Sequence, residues 1–554
     1  MLCGLGLAGS QSNRTASWHQ SSRQSPVCSG RCGGRAARFD RLASVAPTPP
    51  SAPYVQSDIR RAAGRGSAVW LGLDIGTQSA RALAVTANGE VVGAGSRPLN
   101  SRRSGTRHEQ DPEEWWLAIA AASAEALQTV PARAVRGVAV DATSGSIVLV
   151  DRKGSPLTPG LMYDDGRAES HVDRVNSAGE QVWAELGYGR MQPSWALPKL
   201  LWLLDAQPQL RRGARLAHQS DFISRRLVGR DVPADLSSAL KSGAHLIDER
   251  WPHDVMEALG VPADLLPELV RSGTVIGSVS REAASATAIP AGTPVIAGMT
   301  DGCASQLGAG VLRPGSWNSV LGTTLVVKGV THELIHDPLG VVYSHKAPNG
   351  DWLPGGASST GAGLISKDFA GRDLDDLGRA ASGHEPAAML AYPLLSIGER
   401  FPFVEPKAQG FALGGDGSEA DRFAAVLQGV GYVERLCYDY LDLLGAPIDG
   451  DLVLTGGATK SEYWCQLRAD ILGRPVSLPE NSEPALGMAI LAASPGRDVA
   501  EVAAEMVRIR LTIDPRAGSR ERFGAAYLRF VDELEGRGWL GADLVAHARD
   551  RVQR

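Results

Sequence analysis

The chain has 554 residues, more than one ordinary core accommodates, so two domains of roughly 200 to 250 residues each are expected. Its 43% hydrophobic and 21% charged residues are those of a soluble globular protein. A net charge of -5 and a pI near 6.2 exclude the basic footprint that nucleic acid or an acidic membrane surface would need. No apolar run reaches the length of about eighteen residues that a membrane span requires. The partners expected are therefore small molecules, with no nucleic acid, no membrane and no obligate protein partner.

The first fifty residues carry six arginines, no lysine and a single acidic residue, Asp40, among many serines; a proline-rich stretch at 46–53 follows. Such a segment cannot bury a core, and it predicts an organelle transit peptide with linker over residues 1–60. Its Ser and Ala content favours the plastid stroma over the mitochondrion. The six cysteines fit a reducing compartment. Cys303, Cys437 and Cys465 are scattered, with no metal-ligand spacing, and read as small buried residues.

Ordered structure is expected from residue 69. An apolar strand at 69–73 ends in Asp74, a glycine turn at Gly76 and a return strand at 81–85; further strands are predicted at 91–94 and 135–140. Asp111 caps a helix whose Pro112, Glu113 and Glu114 form its first turn, with an apolar face over 115–130. A strand at 144–150 leads to the turn at Asp151–Gly154. Residues 180–270 read as mostly helical, with one apolar helix at 198–204. A strand beginning at 295–297 runs into Asp301 and Gly302. Strands at 317–321 and 325–330 flank Gly322-Thr323-Thr324, repeating the opening pattern. A strand at 451–454 precedes Thr455-Gly456-Gly457, then a helix through Ile471 and a small-residue helix at 484–493. The pattern is α/β, two domains each opening on a glycine turn, with the boundary near 305–315.

Three turns carry the chemistry. In Asp74-Ile75-Gly76-Thr77-Gln78-Ser79-Ala80-Arg81, glycine lets backbone N–H groups approach a phosphate, hydroxyls add donors, and the strand-end aspartate can hold Mg²⁺ through water. Gly322-Thr323 is the same device in the second half, so the two turns can clamp a nucleotide's phosphates from opposite sides. At Gly456-Gly457-Ala458 the missing side chains let adenine and ribose lie on the backbone. Each turn alone is more often structural than functional; the three together, in order, are not.

The segments LGLDIGTQSAR, HEQDPEEWW, LMYDDGRA, IAGMTDGCASQLGAG, VLGTTLVVKG and LTGGATKSEYWCQLRADILGRPV resemble, across 69–495, the FGGY carbohydrate kinases. The resemblance implies a pair of RNase H-like domains of the actin-like ATPase type flanking a deep cleft, over 68–310 (sugar-binding) and 311–545 (nucleotide-binding), entered by sugar and ATP from opposite ends. It implies Asp301 as the base that takes the proton of the attacking hydroxyl. Asp74, Gln78, Ser79, Ala80, Arg81 and Ser144 then face the sugar. Thr77, Gly322, Thr323, Gly356, Gly456, Gly457, Ala458, Thr459 and Lys460 face ATP, with Mg²⁺ at Asp74. Family members acting on xylulose usually carry a Met-His pair after the third strand. Here the stretch reads Asp141-Ala142-Thr143-Ser144-Gly145-Ser146, similar to the plastid and cyanobacterial subgroup associated with D-ribulose. The expected reaction is phosphorylation of D-ribulose to D-ribulose 5-phosphate. Xylulose or another polyol such as glycerol or ribitol is the alternative within the class, and a weakly ATP-hydrolysing actin-like binding module the alternative outside it. Asp164, Asp165 and Arg167 form a D-x-R element divided evenly between sugar contact and structural ion pair. His171, His218 and His384 receive no role.

Overall fold

A computed structural model describes residues 67–415 and 417–553. The expected transit segment lies outside the described residues. Two mixed sheets organise the rest. The first contains β1 (Val69–Ile75), β2 (Ser79–Thr86), β3 (Val91–Pro98), β4 (Val135–Ala142), β5 (Val275–Ser278) and β6 (Pro294–Ile296), in the order β5-β6-β4-β1-β2-β3. The second contains β7 (Trp317–Leu321), β8 (Leu325–Gly329), β9 (Tyr343–Lys346), β10 (Trp352–Ala357), β11 (Leu452–Thr455), β12 (Val476–Pro479) and β13 (Ile509–Ile513), in the order β9-β10-β8-β7-β11-β12-β13.

The two sheets repeat one plan. In each, the first strand is antiparallel to the second and parallel to a strand reached by a long crossover, and an antiparallel strand closes the far edge. In β1 both side-chain faces are buried, which is why it reads as a near-continuous apolar run. The glycine turns lie at the carboxyl ends of β1, β7 and β11, where open α/β sheets collect their ligands.

The helix at Pro112–Ala126 forms as expected, with the Asp111 side chain accepting from the Glu113 N–H. The region expected to be mostly helical is not. Helices at Val172–Glu185, Ala196–Ala206 and Gln219–Val228 are interleaved with strands, and Arg215–His218 joins a five-stranded sheet with Ile147–Val150. These strands are two to four residues long, too short to show alternation. The strand expected from 144 starts only at Ile147, because Gly145 at φ +93° turns the chain and Ser146 N–H closes on Thr143 O at 3.2 Å.

Chain position and packing partner part company at the helix Pro484–Ala493. It follows β12 in sequence, yet it lies on β1 and β4 of the first sheet and on the helix Asp301–Gly308. A Cβ on Gly72 would fall 1.7 Å from Ala485 O, and one on Gly487 would fall 2.0 Å from Ala304 O. The small-residue composition of the helix is thus a packing requirement. One apolar cluster, with Leu83, Met299, Leu307, Leu353, Val453 and Met488, joins the two halves around this pair of helices.

Candidate active site

Three aspartates stand in a row across adjacent strand ends of the first sheet. Asp74 on β1 and Asp141 on β4 are partners in the parallel register. One strand further on, Thr300 bridges to Ala142 and caps the helix Asp301–Gly308, which makes Asp301 its first helical residue. The sequence placed Asp301 at a strand end; β6 ends at Ile296 and the chain turns into helix instead. The change matters chemically, because a carboxylate in the first turn lies at the favourable end of the helix dipole.

Asp301 accepts from the Gly302 N–H at 2.7 Å and from the backbone N–H of Ser144. Burial raises its pKa above the ordinary carboxylate value, against the opposing pull of those N–H groups, Lys241 and Lys328. Asp74 and Asp141 are also raised, by burial first; Asp141 goes well above its ordinary value, with the Asp74 carboxyl beside it as the next cause. Among the described residues, no group other than the Asp74 carboxyl meets the oxygens of Asp141. Arg81 meets Asp74 at 3.8 Å. Two buried carboxyls close enough to share a hydrogen bond suit a hydrated divalent cation, which would relieve their repulsion.

Ser144 sits on the turn after β4. Its hydroxyl is buried and has no hydrogen-bond partner among the described residues; the Thr143 hydroxyl beside it meets that of Ser146 at 2.5 Å and Gln219 Oε1 at 2.9 Å, and Gln219 Nε2 is likewise left over. A buried hydroxyl left over beside a carboxylate is a free contact for a substrate oxygen. The first turn closes by Gly76 N–H to Ser79 O at 3.0 Å, and Gln110 fixes Thr77 O at 2.7 Å. Gln78 is exposed; Ala80 belongs to the core of the first sheet and offers the cleft only its backbone.

On the other side, Gly322 and exposed Thr323 form an open turn. It is backed by Thr360–Gly363, through Ala362 N–H to Gly322 O at 2.9 Å and Gly363 N–H to Thr323 O at 3.1 Å. Gly456, at φ +89°, tucks against Leu321 O on the strand that carries this turn, and Gly457 faces open space. Thr459 spends its hydroxyl on Gly456 O at 2.8 Å; Lys460 is exposed, and the methyl of Ala458 is buried in the second core. Gly356 must be reassigned. A Cβ there would lie 2.7 Å from the Phe401 ring, so its missing side chain serves ring packing and that face is closed to a nucleotide.

The D-x-R element resolves as structural. Arg167 grips Asp165 through two hydrogen bonds at 2.8 and 2.7 Å and also meets Glu109 at 2.7 Å, while Asp164 pairs with His108 and Arg103. Of the histidines left without a role, His218 pairs with Asp221 and Ser242.

Four residues near Asp301 escaped sequence reasoning: Asp141, Lys241, Lys328 and His345. Lys241 donates to Ser144 O at 3.3 Å and lies over the rings of Trp195 and Tyr343. His345, on β9 of the second sheet, meets Ser237, whose hydroxyl takes the Thr300 N–H at 3.2 Å. Burial, then Lys328 and Lys241, hold it well below its usual pKa and therefore neutral. The one available signal was lysine scarcity, eight residues in a chain rich in arginine.

Residues 69–308 match the FGGY family of carbohydrate kinases, N-terminal domain, and residues 318–495 match its C-terminal domain. The xylulose kinase of Streptomyces coelicolor is 32% identical over 452 residues, 78% of this chain and 89% of that protein. The chain belongs to the FGGY family of carbohydrate kinases. The gluconokinase of Bacillus subtilis is 27% identical over 449 residues, 76% of this chain and 86% of its own. The crystal structure of xylulose kinase from Rhodospirillum rubrum aligns with a TM-score of 0.76 at 27% identity, covering 84% of this chain and 98% of that one. The repeated sheet plan is thus the RNase H-like pair of the actin-like ATPase fold, and this FGGY kinase is a phosphotransferase acting on a carbohydrate hydroxyl.

Proposed function

We propose that this kinase transfers the γ-phosphoryl group of ATP to a pentulose, D-ribulose in first place, with Asp301 as general base. The observation that carries the reading is Asp301 held beside Ser144, whose hydroxyl is unspent, together with the open Gly322-Thr323 turn in the other half of the molecule. The sugar hydroxyl loses its proton to the Asp301 carboxylate as its oxygen attacks phosphorus. The Gly302 and Ser144 N–H groups fix that carboxylate for in-line approach. Asp74 and Asp141 would hold Mg²⁺ through its water shell, and the ion supplies charge neutralisation on the phosphates. The backbone of Gly322, Thr323 and Gly457 receives the nucleotide.

The preference for ribulose is supported by Ser144 standing where xylulose-specific relatives are expected to carry an imidazole. Xylulose is the second reading, supported by relatives named xylulose kinase. The composition of the first fifty residues supports a plastid address. An ADP-release assay over a panel of pentuloses and polyols tests the substrate. D-ribulose is expected to give the highest kcat/KM. Ser144→Ala, losing one neutral hydrogen bond of about 0.5 to 1.5 kcal/mol, should raise the KM for ribulose by roughly 2- to 13-fold and leave that for ATP unchanged. Equal or better turnover of xylulose would remove the ribulose assignment.

A further inference from the structure

Lys328 has so far figured only through its charge on Asp301 and His345. It lies on β8, only 7% exposed, five residues after Thr323. Its stem runs along Gly355, where a Cβ would come within 2.9 Å of Cγ, and past Gly302, where a Cβ would meet Cδ, Cε and Nζ at 3.6, 3.7 and 4.0 Å. The two glycines therefore make a channel for this side chain. At its end the ammonium reaches the first turn of the helix that begins with Asp301, the end of a helix dipole that repels a cation.

Among the described residues, no carboxylate oxygen lies within 4.0 Å of the Lys328 ammonium and no acceptor takes its hydrogens, although its charge is felt by both Asp301 and His345. The stem is thus buried while the ammonium is left without a partner, a charge-assisted contact available to an anion. Were Lys328 only the counter-charge of Asp301, the two would close to contact. They are held apart, one on each half of the molecule, with the helix N-terminus between them. His345, on the neighbouring second-sheet strand, stays neutral and offers no negative charge. The first-turn N–H groups are spent, Gly302 on Asp301 and Cys303 and Ala304 on Thr300 O, so the unpaired Lys328 cation beside that turn is the group left over for an anion carried by the substrates.

We propose that Lys328 is a catalytic residue whose ammonium meets the equatorial oxygens of the phosphoryl group in flight between ATP and the sugar. The inference rests on the kinase reading above and adds a group to it. The acceptor O–H gives its proton to Asp301, the new O–P bond forms, and the bond from γ-phosphorus to the β–γ bridging oxygen breaks to leave ADP. The Lys328 charge offsets the charge spread over the transferring oxygens.

The test compares the full-length enzyme with Lys328→Met and Lys328→Gln in steady-state turnover of D-ribulose and in inhibition by ADP with aluminium fluoride, a mimic of the phosphoryl in flight. Both variants should lose about 10²- to 10³-fold in kcat, with KM for ribulose and ATP and affinity for ADP alone changed by less than about threefold. The tight inhibition by ADP with aluminium fluoride should vanish. If the loss is recovered at higher pH, Lys328 only tunes Asp301 and the proposal falls. It falls equally if a folded variant turns over within about threefold of the parent, or if both variants unfold. A parent enzyme that is folded and binds ADP, yet gives no ADP with any sugar, overturns the kinase reading first and this inference with it.

Discussion

Lys199 shows what a single residue's surroundings can dictate. It is fully buried on the helix Ala196–Ala206, donates to Met162 O at 2.6 Å, and is brought by burial down to about 7. An unfolded lysine titrates near about 10.4, so between the two values the unfolded chain binds more protons, and native stability rises with pH through that window. Lys199→Met removes the term. The variant should be most favoured relative to the parent at pH 7, and that advantage should shrink by on the order of a few kcal/mol toward pH 10, read from denaturant midpoints. A parent–variant difference independent of pH would contradict this. The contrast with the site residues explains what could be read in advance. Asp74, Gly322 and Gly456 announce themselves because a strand-end aspartate or glycine turn is a local signal. Asp141, Lys241, Lys328 and His345 acquire meaning only from neighbours on other elements of the fold, which no local spacing encodes. Gly356 misled for the opposite reason: a glycine serving a ring looks, in sequence, like one serving a phosphate.

At the scale of elements, the helix Asp301–Gly308 carries Asp301, and the helix Pro484–Ala493 packs against that helix. Gly487 sits where a Cβ would be 2.0 Å from Ala304 O, a backbone atom that cannot swing aside. Gly487→Ala gains up to about 1 kcal/mol in helix propensity but is expected to lose about 2 kcal/mol or more overall through overpacking. Because the displaced helix carries Asp301, kcat should fall with stability. Gly536→Ala, at a helix position with open space around it, should be neutral or slightly stabilising. Urea midpoints and turnover of the two variants decide the matter, and equal behaviour would refute the packing argument. The long or strongly marked elements were legible: β7 and the helix Pro484–Ala493 fall where apolar runs and Pro placed them. The short strands between the helices of 172–270 were not, since pairing with distant segments such as Ile147–Val150 creates them. That Pro484–Ala493 packs on the first sheet was equally hidden, because an all-round apolar helix does not name its partner.

The described residues repeat one plan twice, with a glycine turn at the carboxyl end of the first strand in each copy. The first sheet brings Asp74, Asp141, Ser144 and Asp301 together, and the second brings Gly322, Thr323, Gly457 and Lys328. Neither half holds both Asp301 and the Gly322 and Gly457 turns, so the proposed transfer needs the pair, and the packed helices with their shared apolar cluster hold the two together. The central claim is that a sugar hydroxyl is deprotonated by Asp301, and sugar-dependent ADP formation by Asp301→Asn tests it most directly. The amide keeps the shape of the carboxylate but cannot take a proton. The account predicts a fall of about 10²- to 10⁴-fold in kcat with ADP binding and melting temperature close to the parent; turnover within about tenfold of the parent would contradict it.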